Sequence, residues 1–163
     1  MTTPTQSIET PSANPTALAG PNSSLGSLYE ADETAWLDRM AKLVAERRFN
    51  EMDSSNLAEF LTDMAKRDRR EVFSRLVVLL SHLLKWSHHE DHRSSSWRAT
   101  IRTQRLELRQ FFESASLLRH AAAELAKAYA EARIAAAEEL DTDVNAFPSE
   151  SPWTVQTASN QEL

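Results

Sequence analysis

The sequence predicts an all-α fold, an antiparallel four-helix bundle, and three observations lead to this prediction. Both glycines and all six prolines lie outside residues 27–147, and strands and hairpins depend on these residues at their turns. Apolar residues recur at helical spacing over most of the body of the chain. Between those stretches stand Ser, Asp and Asn, which are good helix caps.

The two ends of the chain are predicted to lie outside the folded domain. Residues 1–27 consist mainly of Thr, Ser, Pro, Asn and Ala, and such a segment cannot bury enough apolar surface to offset the entropy of ordering. We therefore predict a disordered tail over 1–27, a helical domain over 28–155 and a disordered C-terminus over 156–163.

The first helix is predicted from about Tyr29 to Arg47. Ser27 and Glu30 have the spacing of a capping box at its start. One face of this helix carries an apolar stripe at helical spacing, which indicates the side that packs on the core. The stripe consists of Trp36, Met40, Leu43 and Val44.

The second helix is predicted from Asp53 to Trp86, and it is expected to be the most buried one because residues 72–84 are apolar nearly all round. Unbroken, it would be about 50 Å long, much longer than its neighbours. A bend near Lys66 to Arg70 would resolve the mismatch, and so would a protruding helix. Lys85 is expected to extend its ammonium group to solvent from the helix C-terminus.

A polar loop is predicted over residues 87–96, followed by a third helix from about Trp97 to Phe112. A fourth, alanine-rich helix is predicted from Ser114 or Ser116 to Leu140. Phe147 to Trp153 contains two prolines and two large aromatics, and we expect it to be an extended strap that packs back on the bundle. The predicted core residues are Trp36, Leu61, Leu76, Leu79, Leu80, Leu83, Trp97, Ile101, Leu108 and Leu125.

The composition excludes several classes of chemistry. The chain has no cysteine, which removes disulfides, thiol nucleophiles and cysteine-based metal sites. The body has no glycine, so it contains neither a glycine-rich phosphate loop nor a nucleophile elbow. The start of the chain lacks the pattern of a signal peptide, and no apolar run is long enough for a membrane span. We predict a cytoplasmic protein that is not an enzyme, requires no cofactor and does not bind membranes.

The net charge of −6 conceals a strongly basic middle segment. Residues 66–109 carry a net charge of +6, whereas residues 29–65 carry −5 and residues 110–163 carry −6. A basic segment between acidic flanks is typical of a nucleic-acid surface. It is also typical of helices that neutralise one another within one bundle, and the sequence favours this second interpretation.

A cluster of histidines and acids occupies residues 88–92. If this segment is helical, His88 and His92 lie four residues apart and could share a metal ion. The segment does not match the metalloprotease motif, because that motif needs a second histidine at the position of Arg93. The alternative is a solvated polar loop, which the sequence favours, so a metal-dependent hydrolase is only a remote possibility.

Four arginines form a stripe along the third helix, at spacings of 4, 3 and 4 residues. They flank the apolar face, and two interpretations remain open. In one, the arginines pair with acids of other helices, as at the edge positions of a bundle. In the other, they belong to an anion site whose floor is Arg93, the amides of residues 94–96 and the start of the helix. The stripe is Arg98, Arg102, Arg105 and Arg109, and the candidate acids are Glu59, Asp63, Glu124, Glu131 and Glu138.

If the molecule has a binding site, we expect it where the second helix ends and the third begins. Free amides and the positive end of the helix dipole are available there, together with arginines and two large tryptophan faces. The candidate binding residues are Trp86, His88, His89, His92, Arg93, Ser96, Trp97, Arg98, Arg102 and Arg105.

The segment HLLKWSHHEDHRSSSWRATIRTQR, residues 82–105, resembles a bacterial family catalogued as domain of unknown function 29. Further similarity lies around Tyr29 to Trp36, at Leu57 and Glu59, and in the strap, so that the resemblance covers about residues 28–155. It implies a small helical bundle and no particular activity. The sequence differs from the family in having the pair His88 and His89, and in having Ser151 where cysteine is frequent, so thiol chemistry would not transfer.

These observations predict a non-enzymatic helical module that acts through an unknown protein partner or through self-association. The alternative is a nucleic-acid or anion binder that uses the basic segment 66–109. The remote alternative is a metal-dependent hydrolase that uses residues 88–92.

Overall fold

A computed structural model describes residues 21–161, and in this range the chain forms α-helices and short 3₁₀ turns with no β-strand. The all-α prediction is therefore confirmed. Residues 1–20 of the predicted tail lie outside the described residues. The helices are α1 (Pro21–Ala31), α2 (Glu33–Ala45), α3 (Ser54–His88), α4 (Ser95–Phe111), α5 (Ala115–Leu140) and α6 (Val155–Asn160).

The chain divides into two compact units, residues 1–61 and 62–163. The single antiparallel four-helix bundle is thus not confirmed, because α2, its predicted first member, packs within the first unit. No helix in the described range is long and apolar enough to cross a membrane.

The first unit is built around Trp36, which is completely buried together with Leu43. Its ring lies 4.7 Å from that of Tyr29 and 5.9 Å from that of Phe60. The indole Nε1 donates to Asp53 Oδ2 at 3.3 Å, which satisfies the polar atom of this buried side chain.

Two helices replace the single first helix that the sequence predicts. Asp32 has an extended backbone and caps α2 by accepting a hydrogen bond from the Ala35 amide at 2.9 Å. This cap interrupts the helix that would have continued from Tyr29, because an N-cap residue lies outside helical geometry. Residues 21–27, predicted to belong to the tail, form the first turns of α1.

Helix α3 runs without interruption through its charged middle, so a break near Lys66 to Arg70, one of the alternatives that the sequence left open, does not occur. Its 35 residues correspond to about 52 Å at 1.5 Å per residue. Lysine and arginine are good helix formers, and the exposed charges of this stretch leave the backbone hydrogen bonds intact. An ion pair from Lys66 to Asp63 at 3.0 Å adds local support.

The core of the second unit is formed by the C-terminal half of α3 with α4, α5 and α6. Leu76, Leu79 and Leu80 are completely buried, as are Ile101 and Leu108 on α4. Helix α5 contributes mainly alanines to this core, and alanine permits close approach between helices. Most predicted core residues are therefore confirmed. The prediction is wrong for Leu61, whose side chain is 56% exposed, and Trp97 and Leu125 are only half-buried.

The strap packs against α5. Side chains of α5 donate hydrogen bonds to carbonyl groups of the strap and of the turn before it. Tyr129 donates its hydroxyl to the Pro148 carbonyl at 3.0 Å. Arg133 Nη2 donates to the carbonyls of Val144 and Phe147 at 3.0 and 3.2 Å. The Phe147 ring is buried in the core of the unit.

The segment after the strap is helical over 155–160, which corrects the predicted disorder for residues 156–160. Residues 162–163 of that prediction lie outside the described residues. Thr154 and Thr157 form a reciprocal capping box at the start of α6. Val155 and Ala158 are buried on one face of this helix. The cap and the buried face together offset the low helical tendency of so short a segment.

Two residues with side chains adopt the left-handed backbone conformation at helix ends. Arg47, after α2, has φ 57°. Asp141, the C-cap of α5, has φ 49° and ψ 48°. Asp141 follows α5 directly, whereas Arg47 follows Glu46, the C-cap of α2. Other proteins commonly use glycine at such helix ends.

Candidate anion-binding groove

The junction between α3 and α4 is more ordered than the polar loop that the sequence predicts. Helix α3 continues to His88, and a 3₁₀ turn follows at Glu90–His92. Ser94 then caps α4 by accepting a hydrogen bond from the Trp97 amide at 3.1 Å. The free amides expected at the start of α4 are thus partly taken up by its own cap.

The two arginines of the junction lie against one tryptophan. The guanidinium carbons of Arg93 and Arg98 lie 5.1 and 5.3 Å from the centre of the Trp86 ring, within the range of cation–π contacts. Arg93 also donates to the Trp86 carbonyl at 2.8 Å and pairs with Glu90 at 2.9 Å. These contacts hold both guanidinium groups against the Trp86 ring, and they occupy part of the hydrogen-bonding capacity of Arg93.

The histidines of the junction do not gather around a common point. His88 bonds through Nδ1 to the Leu84 carbonyl at 3.1 Å, and its ring meets Phe147 edge-on at 5.4 Å. The rings of His89 and His92 lie 6.1 Å apart. Within residues 21–161, no group of three or more His, Asp or Glu residues is placed to hold a metal ion. The metal-dependent hydrolase therefore gains no support here.

Trp97 faces an unexpected buried cation. Lys85 is completely buried, and its ammonium nitrogen lies 5.2 Å from the centre of the Trp97 ring. The ammonium group pairs with the carboxylate of Glu139 and lies 3.4 Å from His82 Nε2. Burial is the main reason that the pKa of His82 lies below its ordinary value. The prediction that Lys85 reaches solvent is therefore wrong. Ser96, another candidate binding residue, is exposed.

The remaining arginines of the stripe line a groove where α4 meets α6. The groove encloses about 550 Å³, and its lining includes Arg102, Arg105 and Arg109 from α4. Its other wall contains Ser159, Asn160 and Gln161. Arg105 Nε donates to the Ala158 carbonyl at 2.8 Å, which fixes its guanidinium group between the two helices.

The charged side chains that line this groove are all positive. In the part of the chain that the structure describes, no carboxylate forms an ion pair with Arg102, Arg105 or Arg109. Of the two interpretations that the sequence left open, pairing with acids of other helices is therefore not observed for these three. Burial, and then the nearby charge of Arg109, lower the pKa of Arg105, although an arginine still carries its charge at neutral pH. The groove thus gathers positive charge that forms no ion pair with a carboxylate of residues 21–161.

The ten candidate residues accordingly separate into different environments. Arg102 and Arg105 line the groove, whereas the other eight belong to the junction. Arg109, which the sequence placed in the stripe but not among the binding residues, lies in the groove with them. The residues of α6 were missed because their segment was predicted to be disordered. The one sequence signal for α6 was the spacing of Thr154 and Thr157, which matches a helix start.

The described residues form an all-helical protein with a groove between α4 and α6 that is lined by three arginines. The family model described as Domain of unknown function DUF29 matches residues 28–163, and the chain therefore belongs to this family. The match extends beyond residue 155, where the resemblance seen in the sequence ended, and so includes α6. Comparison with curated proteins and with solved structures finds no match.

Proposed function

We propose that this protein is a non-enzymatic interaction module that binds an acidic segment of a protein partner in the groove between α4 and α6. The observation that supports this function is a set of three arginines around one cavity of about 550 Å³, none of which pairs with a carboxylate in the described part of the chain. Guanidinium groups bind carboxylates through paired, charge-assisted hydrogen bonds. Since Arg105 is already held by the Ala158 carbonyl, little side-chain entropy is lost when its remaining donors bind a ligand.

The composition of the groove favours a peptide over a bare inorganic anion. Leu106 lines the groove with 52% of its side chain exposed, next to the three arginines. Asn160 and Gln161 offer neutral hydrogen-bonding groups on the opposite wall. An acidic peptide with an apolar side chain would match all three chemistries at once, as peptide-binding grooves commonly do.

The experiment uses two labelled peptides of equal length, one alternating Glu with Leu and the other alternating Gln with Leu. Fluorescence anisotropy of the purified protein should show binding of the first peptide and at least about tenfold weaker binding of the second, because one lost charged hydrogen bond is worth about 1.5–3 kcal/mol. Equal binding of both peptides would contradict the proposal.

Three arginine variants locate the site. Arg102→Ala and Arg109→Ala should each weaken binding of the acidic peptide, whereas Arg119→Ala on α5 should leave it unchanged, since Arg119 does not line the groove. An equal effect of all three would reduce the interaction to general charge attraction.

Glu162→Gln tests the chain's own carboxylate at a position outside the described residues, and tighter peptide binding by this variant would identify a competing internal ligand.

A second measurement decides whether the partner is a different protein or another copy of this chain. Sedimentation of the protein alone over a range of concentrations reveals whether a second copy supplies the acidic segment. Association that Arg102→Ala abolishes would assign the groove to self-association instead of a different partner.

A further inference from the structure

A second cavity lies between α3 and α5, away from the residues of the arginine groove. It encloses about 530 Å³ and is open along one side. Lys66, Arg69 and Arg70 project from α3, and Lys127 projects from α5. Cations thus stand on both walls of one cleft, an arrangement that the linear sequence does not reveal because residues 66–70 and 127 are far apart.

The cleft carries more positive charge than its own acids balance. Glu124 is the acidic residue of its lining, and Lys66 is already paired with Asp63 at 3.0 Å. Arg69 and Arg70 form no ion pair with any carboxylate between residues 21 and 161. These exposed arginines therefore remain available to a ligand that carries several negative charges.

An aromatic ring lies among these cations. Phe73 lines the cleft and is half-buried, and Lys127 Nζ lies 4.9 Å from the centre of its ring. The ring is anchored on the core of the second unit, so it offers a fixed apolar surface. Cations around an aromatic surface are the combination by which proteins bind single strands, since phosphates meet the cations and bases stack on the ring.

The geometry points to the α3–α5 cleft as a binding site for single-stranded nucleic acid. A duplex would keep its bases away from Phe73, whereas an unpaired strand can place a base on it. Lys66 and Arg70 are four residues apart on α3 and so lie on one face about 6 Å apart along the axis. They can contact more than one phosphate of the same strand. This site is distinct from the groove proposed for an acidic peptide and shares none of its residues.

The test is salt-dependent binding of a labelled oligothymidylate of about ten nucleotides, a length within the range of single-strand sites. We expect Arg70→Ala and Lys127→Ala each to weaken binding at least about fivefold. Each should also reduce the slope of log K against log salt by about 0.7, the value for one lost phosphate contact on a single strand. Phe73→Leu should weaken binding while it leaves that slope unchanged, because it removes stacking and no charge.

Charge-matched controls separate a built site from general attraction. Arg119→Ala, on α5, and Lys42→Ala, on α2, remove the same charges from surfaces outside both the cleft and the arginine groove. If these controls weaken binding as much as Arg70→Ala and Lys127→Ala do, the inference is overturned. The inference also fails if the cleft variants reduce binding of the acidic peptide and not of the oligonucleotide. Since peptide binding is assigned to Arg102 and Arg109, either proposal can fail while the other stands.

Discussion

The buried ammonium group of Lys85 is paired with the carboxylate of Glu139, whose own side chain is 54% exposed. A buried ion that loses its partner is costly, whereas replacing a buried ion by an apolar side chain of similar size is often tolerated. We therefore expect Glu139→Gln to lower the free energy of unfolding by about 1–3 kcal/mol. Lys85→Met should change it by less than about 1 kcal/mol. Urea unfolding of both variants measures the difference, and a reversed order would show that the contacts of Lys85 to Trp97 and His82 stabilise the fold.

The strap depends on one arginine for two of its hydrogen bonds. Arg133 Nη2 donates to the carbonyls of Val144 and Phe147. Arg133→Met would remove the donor to the Phe147 carbonyl, whereas the Val144 carbonyl would keep its hydrogen bond from the Phe147 amide at 3.3 Å. We expect a loss of about 1–3 kcal/mol in the free energy of unfolding, together with faster proteolytic cleavage between residues 141 and 153. Arg119→Met, which changes an exposed arginine on the same helix, is the matched control. Equal effects of the two substitutions would rule out a particular role for Arg133 in holding the strap.

Leucines at two positions of α3 provide a direct test of the packing. Leu79 is completely buried, whereas Leu61 is 56% exposed. Leu79→Ala should cost about 2–5 kcal/mol because it opens a cavity in the core. Leu61→Ala should cost less than about 0.5 kcal/mol, as is usual for surface changes. Thermal or urea unfolding distinguishes these outcomes, and similar costs at the two sites would contradict the described burial.

His82 makes the stability of the second unit depend on pH. Burial lowers its pKa below the ordinary 6.5, and the charge of Lys85 acts in the same direction, partly opposed by Glu139 and a hydrogen bond to Val78. The unfolded chain therefore binds a proton more readily than the folded one. The contribution of His82 is fully present above about pH 7.5 and decreases as the pH falls through 6.5 towards the folded-state pKa.

Urea unfolding at pH 7.5 and pH 5.5 measures this dependence. His82→Gln keeps a polar side chain and removes the titration, so the variant should lose less stability than the wild type between these two pH values. The same loss in both proteins would assign the pH dependence to other groups.

The sequence predicted α4 and α5 closely because their ends are determined locally. Ser94 and Ser114 stand directly before α4 and α5 and cap them, and both helices end within a residue of the predicted position. Hydrophobic spacing alone located Leu76, Leu79, Ile101 and Leu108 in the core. These features depend on neighbours within one or two turns, which a single sequence contains.

The features that the sequence did not predict depend on residues that are distant along the chain. Lys85 is buried because Glu139, on another helix, supplies its counter-charge. The arginine groove requires α6, whose carbonyl at Ala158 binds Arg105 across 53 residues. The spacing of Arg98, Arg102, Arg105 and Arg109 showed that they share one face, but it could not show that Arg98 would lie on Trp86 while the others face α6.

The left-handed backbone conformations of Arg47 and Asp141 mark positions at which the thermal stability of this protein can be increased. A residue with a side chain pays about 1–2 kcal/mol for this backbone conformation, and glycine avoids most of that strain. Glycine also gains conformational entropy in the unfolded chain, and this cancels part of the benefit. Arg47→Gly should therefore raise the free energy of unfolding by up to about 1 kcal/mol, which would be measured as a higher Tm. One substitution could therefore raise the temperature up to which the fold is stable, without changing its core, the arginine groove or the α3–α5 cleft. A lower Tm for this variant would show that neighbouring contacts already relieve the strain.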